Sequence, residues 1–224
     1  EIQVATMKLN DSRLQLFSRD NYIGAGFSYN NDAELENHGH LVVRTKLTRN
    51  EEGLNLGVDV APTSIYINSK EWNVMPSKIN ILGRDISVDS FGLTSGDEAI
   101  RVNGGTSDTK NDTLTVSLRR FDISLINSLV PKLGIKGAVT GKARLSSSSV
   151  KKALDIEMMC DSTYVASAPL GVLDIAGRWD EGDKNIDFAL RNNLGGQKTI
   201  DAAGKVLLKD KKLDAKVDMD RFNI

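Results

Sequence analysis

The stretch that decides the fold reads Ile200-Asp201-Ala202-Ala203-Gly204-Lys205-Val206-Leu207-Leu208 and, after Lys209-Asp210-Lys211-Lys212, Leu213-Asp214-Ala215-Lys216-Val217-Asp218-Met219. In the second half every other residue is apolar and the residues between are Asp214, Lys216 and Asp218. Side chains on a strand alternate between faces, so this pattern writes a strand with one dry and one charged face. The four polar residues at 209–212 mark the turn between two such strands.

The same parity recurs upstream. Ile23, Ala25, Phe27 and Tyr29 form one set, Leu41, Val43 and Leu47 another, then Leu54, Leu56, Val58 and Val60. Leu114, Val116 and Leu118 follow, and later Ile186, Phe188 and Leu190. Turn signals separate them at hairpin distances: Asn10-Asp11, Arg49 to Gly53, Asn103-Gly104-Gly105, the serine run 146–149 and Asp180 to Asp183. About fifteen or more strands, each joined to its neighbour, predict an antiparallel meander and not parallel βαβ units. One segment departs from the alternation. Phe121, Leu125, Ile126, Leu129 and Val130 recur at helical spacing before Pro131, which predicts one short helix near 122–130.

With almost no helix to cover so many dry faces, the sheet has to fold over its own apolar side as an all-β trough or an elongated sandwich with an apolar interior. The chain reads as a single elongated β domain over 1–224, with sub-units 1–105 and 106–224 as the alternative division. Its 224 residues are 40% hydrophobic but only 5% aromatic, so the interior is aliphatic. Small dry-face residues such as Ala25, Gly141, Ala202, Gly204 and Ala215 predict room for acyl chains in a groove. The residues expected to line it are Leu54, Leu56, Val58, Leu114, Val116, Ile186, Phe188, Leu190, Val206, Leu208, Val217 and Met219.

Catalytic and metal chemistry finds little support. The 29 basic and 30 acidic residues nearly cancel, which argues against nucleic acid as a partner. Cys160 is the single cysteine, so no internal disulfide or paired-cysteine metal site can form. His38 and His40 lie near Glu36, but Asn37-His38-Gly39 reads as a turn and no third ligand is apparent. Gly195-Gly196-Gln197-Lys198-Thr199 lacks the Gly directly before Lys of a phosphate loop and leads into a strand. Trp72 and Trp179 read as packing residues and Cys160 as a packed thiol, so no enzyme, cofactor or metal is expected.

A more particular signal runs through Glu71-Trp72-Asn73-Val74-Met75-Pro76, Lys78-Ile79-Asn80-Ile81-Leu82-Gly83, Phe91-Gly92-Leu93-Thr94-Ser95-Gly96-Asp97 and Ala99-Ile100-Arg101-Val102-Asn103-Gly104. It continues in Phe121-Asp122-Ile123-Ser124-Leu125-Ile126 and Ile135-Lys136-Gly137-Ala138-Val139-Thr140-Gly141-Lys142-Ala143-Arg144-Leu145. Over about residues 65 to 224 this resembles the C-terminal domain of the TamB family, among the AsmA-like bridge-type lipid transport proteins. The resemblance implies a hydrophobic β trough in the periplasm of a diderm bacterium, within a parent protein anchored in the inner membrane. It implies phospholipid acyl chains or client β-strands as partners, and an Omp85-class outer-membrane barrel met through parts of the parent chain outside this sequence. It carries over no catalytic residues. The alternation runs from Glu1–Leu9 to Phe222-Asn223-Ile224, so the chain reads as a segment of a longer protein. A closed structural or adhesive β-sandwich module is the competing expectation.

Overall fold

The computed structural model describes residues 2–4, 7–9, 11–19, 22–32, 36–51, 53–128, 134–166, 168–182, 185–209 and 211–220. Alternation and turn chemistry together produce a chain of strands: β1 (Ile2–Val4), β2 (Met7–Leu9), β3 (Arg13–Arg19), β4 (Tyr22–Asp32), β5 (Glu36–Asn50), β6 (Gly53–Val60), β7 (Thr63–Ile67), β8 (Lys70–Val74) and β9 (Ser77–Leu82). They continue as β10 (Asp85–Ser95), β11 (Glu98–Thr106), β12 (Asp112–Asp122), β13 (Ile135–Ser147), β14 (Lys152–Val165), β15 (Ala168–Asp180), β16 (Asn185–Leu194), β17 (Gln197–Leu207) and β18 (Lys212–Met219). β1 and β2 pair with each other; the other strands form one 16-stranded sheet in which every pairing is antiparallel.

The sheet is a meander with one doubled kink. β6 and β7 both lie against β5, and their partners β9 and β8 both lie against β10. The break falls at Ala61-Pro62 on one side and Met75-Pro76 on the other, between the Val60–Ser77 and Thr63–Val74 pairs. Proline has no N–H to give a ladder, so two prolines side by side interrupt both strands at the same level. β6–β7 and β8–β9 are therefore two long strands bent together, and backbone bonds from Ala61 to Val42 and from Met75 to Gly92 carry the ladder past the bend.

The sheet curls without closing. β3 and β18 are its two edges, and among the described residues neither has a partner on its outer side, so this is not a barrel. Trp72 on β8 and Phe121 on β12 bring their ring centroids to 6.1 Å although β10 and β11 lie between them. On a flat sheet three steps of about 4.8 Å would separate them by roughly 14 Å. Lys70 on β8 also reaches Glu98 on β11 in an ion pair. Both contacts draw in the same face, which is thus concave.

Beta-bulges produce part of the bend. Register shifts fall at Val88/Phe91, Leu118/Phe121, Lys136/Ala138 and Cys160/Thr163, in β10, β12, β13 and β14. Positive φ angles mark them at Ser90, Arg120, Gly137 and Ser162. An extra residue on one strand increases local twist and bends it.

Three sequence expectations are corrected here. Asn103-Gly104-Gly105 is no turn but lies inside β11, where Gly104 has φ +94° and a Cβ would stand 2.0 Å from the Thr113 carbonyl oxygen. Asn37-His38-Gly39 is likewise strand, within β5, with the His38 ring stacked on Tyr66 at 4.4 Å. Gly104 and Gly39 serve close approach between strands rather than reversal. The short helix is a single 3-10 segment, Ile123–Ser128; Leu129, Val130 and Pro131, which complete the helical spacing, lie outside the described residues.

Candidate functional site

The site is the concave face, built by strand register. Directly opposed residues on neighbouring strands share a face, so the pairings define rows that cross the sheet. One row passes through Val58, Ile79, Val88, Gly104, Leu114, Leu145, Leu154, Trp179, Ile186, Val206 and Leu213, one residue from each of β6 and β9 to β18. Beside it run Phe91, Val102, Val116, Ala143, Ile156, Gly177, Phe188, Gly204 and Ala215, and then Leu93, Ile100, Leu118, Gly141, Met158, Ile175, Leu190, Ala202 and Val217. No charged residue occurs in any of the three rows. The first spans roughly 50 Å at about 4.8 Å per strand.

Of the predicted lining residues, all but Leu208 lie on strands at the parity of this face. Val58, Leu114, Val116, Ile186, Phe188, Leu190 and Val206 are half-buried in the rows, and Leu56, paired with Ile81, is half-buried beside them. Leu54 shares their parity at the exposed start of β6, and Val217 and Met219 are exposed on the edge strand β18. Leu208 lies in the turn just past β17 and is exposed. Sequence reasoning left out Ile79, Leu145, Leu154, Ile156, Met158 and Trp179, which occupy the same rows. Leu154, Ile156, Met158 and Cys160 carry the same two-residue parity that singled out the others.

Two of the small residues do not open space as predicted. A Cβ on Gly141 would stand 2.3 Å from the Glu157 carbonyl oxygen, and one on Gly204 would stand 2.2 Å from that of Asp214. The neighbouring strand's backbone already occupies that volume. Room on this face comes instead from the sheet's openness: Leu213 is 66% exposed and Met219 64%.

One end of the concave face is closed. Ile123 of the 3-10 segment packs with Val139 and Cys160 in a buried cluster, joined by Leu118, Phe121, Ile135, Met158 and Leu173. The Asn127 side chain holds the segment down, accepting from Ile135 N–H at 3.1 Å and donating to its carbonyl at 2.7 Å. Asn192 is buried here too. Its amide donates to Thr199 Oγ1 at 2.7 Å, while among the described residues its Oδ1 and the buried Trp72 Nε1 have no hydrogen-bond partner. Cys160 is packed in this cluster, 2% exposed.

The convex face is ordered by charge. Across β13 to β18 one row reads Arg144, Asp155, Arg178, Asp187, Lys205, Asp214, alternating in sign at every strand. A second, across β5, β6, β9 and β10, reads Arg44, Asp59, Lys78, Asp89. Lys205 lies 3.2 Å from Asp187, and Arg178 lies 3.9 Å from Asp155. Three carboxyls are held below their ordinary pKa: Asp85 by the Asp108 N–H and the Ser107 hydroxyl, Asp180 by Lys151 and the Gly182 N–H, and Asp201 by Lys198. Burial pushes the Tyr29 phenol up; its hydroxyl donates to the Tyr66 carbonyl at 3.1 Å. Shallow hollows sit on this face, one of about 490 Å³ where Ala176 and Ala189 lie among Glu157, Asp174 and Arg191, and one of about 450 Å³ at the proline kink. Among the described residues no group of three or more His, Cys, Asp or Glu side chains could hold a metal ion, and Gly195-Gly196 is the hairpin turn into β17.

In comparisons with known proteins, no family model, no curated protein and no solved structure matches this chain.

Proposed function

We propose that this chain is a non-enzymatic β-groove segment of a TamB-like envelope protein that carries phospholipid acyl chains along its concave face between inner and outer membranes. The location in this reading is the periplasm, with the parent protein anchored in the inner membrane. The observation that carries the proposal is the set of charge-free apolar rows on an open, concave face. A closed core would bury such residues, whereas here most are half-buried and those at β18 are exposed. Each CH₂ moved out of water is worth about 0.8 kcal/mol, in a bilayer or against aliphatic side chains alike. An acyl chain passing along uniform rows exchanges one such contact for another, so its barrier to sliding is low. The alternating charges of the convex face keep the opposite side wet.

The test uses native mass spectrometry with lipid extraction on the protein purified from diderm cells, alongside Val206→Glu. Val206 sits between Ile186 and Leu213 in the long row. The wild type should carry phospholipid and the variant, still β-folded by circular dichroism, should lose it. A lipid-free, folded wild type would overturn the proposal, as would retention of lipid by the variant at the wild-type level. If the variant instead unfolds, the face is a sealed core and the chain is a structural or adhesive module.

A further inference from the structure

We infer that the two edges left unpaired among the described strands recognise each other between copies of this 224-residue chain, β18 of one copy pairing antiparallel with β3 of the next. The inference does not rest on lipid binding.

Asp220 N–H donates to the Thr199 carbonyl, and Thr199 stands one register step beyond the Ile200–Met219 pair. In an antiparallel ladder the residues that bond a given neighbour alternate. The even-numbered residues of β18 therefore bond β17, and Leu213, Ala215, Val217 and Met219 point their N–H and C=O groups outward. At the other edge, Ala61 N–H donates to the Val42 carbonyl, so the even residues of β5 bond β6 and the odd ones bond β4. By the pairings Ala25–Val43 and Gln15–Gly26, the odd residues of β3 then bond β4. Leu14, Leu16 and Ser18 keep free backbone groups.

On both edges the residues with unbonded backbone groups are those whose parity belongs to the apolar face. Any pairing that satisfies the backbone thus extends that face from one copy to the next. It would also cover side chains that water now reaches, Leu16 at 71% exposure and Met219 at 64% among them. Neither strand carries the proline or bulge that commonly protects an edge.

Charge selects the register. With Val217 opposite Leu16, Met219 meets Leu14, and on the other face Asp220 meets Arg13, Lys216 meets Phe17 and Asp214 meets the position of Arg19. Two acid–base matches and one cation–aromatic match result, with no like charges opposed. A shift of two residues either way sets Lys212 or Lys216 against Arg19. The chosen register also continues the convex row that ends on Asp214, whose next member must be basic to keep the sign alternating. Because the two edges differ, the contact is head-to-tail and propagates into open arrays rather than closing as a symmetric dimer.

Sedimentation velocity on lipid-stripped protein over a range of concentrations tests this. The wild type should form species larger than a monomer that grow with concentration. Leu16→Pro and Val217→Pro each remove an outward N–H that no described strand uses, and each should leave a folded monomer. An equimolar mixture of the two should form a dimer and nothing larger, since each variant retains the edge the other lacks. Where proline disturbs the strand, seen by circular dichroism, Leu16→Lys and Val217→Lys serve instead. A wild type that stays monomeric throughout overturns the inference, as do assemblies that persist in the single variants or a mixture that stays monomeric. None of these readouts depends on bound lipid, so failure here leaves the acyl-chain reading standing.

Discussion

Gly104 shows how a single residue is held by its neighbour's backbone. Its positive φ places the chain so close to β12 that a Cβ would collide with the Thr113 carbonyl, an atom that cannot rotate aside. Gly104→Ala combines backbone strain with overpacking, and overpacking alone typically costs about 1–3 kcal/mol. Urea denaturation should find the variant less stable by about 2 kcal/mol; an unchanged midpoint would mean that β11 and β12 are not so closely apposed. The turn signature read from Asn103-Gly104-Gly105 was thus sound chemistry for a left-handed residue applied to the wrong local structure. Sequence alone does not say whether a positive-φ glycine reverses a chain or lets two strands approach closely.

At the scale of the element, pairing is specified twice, by apolar parity on one face and by charge order on the other. A one-residue slip sends every apolar side chain to the wrong face, while a two-residue slip preserves parity and is opposed only by charge. The row from Arg144 to Asp214 supplies that second restraint between β13 and β18. Asp187→Lys sets a base between Arg178 and Lys205 and should destabilise the protein by about 1 kcal/mol, within the range for cross-strand pairs. Adding Lys205→Asp should recover part of the loss, because the exchanged charges again attract across β16 and β17 while the new acid opposes Asp214. A thermodynamic double-mutant cycle measures the coupling, and strictly additive effects would show that the row does not act as pairs. The charged parity was legible in the sequence; the alternation in sign across strands was not, since Arg144 and Asp155, or Asp187 and Lys205, become neighbours only through register.

For the whole molecule, strands touch mainly those beside them, so the sheet resembles a one-dimensional array whose stability is a sum over neighbouring interfaces. The middle, β12 to β15, has a partner on both sides of every strand and the 3-10 segment over its buried cluster. The edges have neither advantage: all of β18 is exposed. Native-state hydrogen exchange should therefore be slowest in β13 and β14, where Val139 and Cys160 lie, and rise towards β3 and β18. A single uniform rate for all strands would instead indicate one closed cooperative core.

The sequence by itself determined the all-β class, the antiparallel meander and the assignment of apolar and charged residues to opposite faces, because a period of two is a local property of an extended chain. The same parity placed Leu56, Val58, Val116, Ile186 and Val206 on one face without knowledge of their neighbours. Only the tertiary structure decided that the two proline breaks coincide, that bulges bend the sheet until Trp72 meets Phe121, and that β3 and β18 stay apart. Curvature accumulates over many strands from small local irregularities, and closure depends on that sum, which no single stretch of sequence encodes.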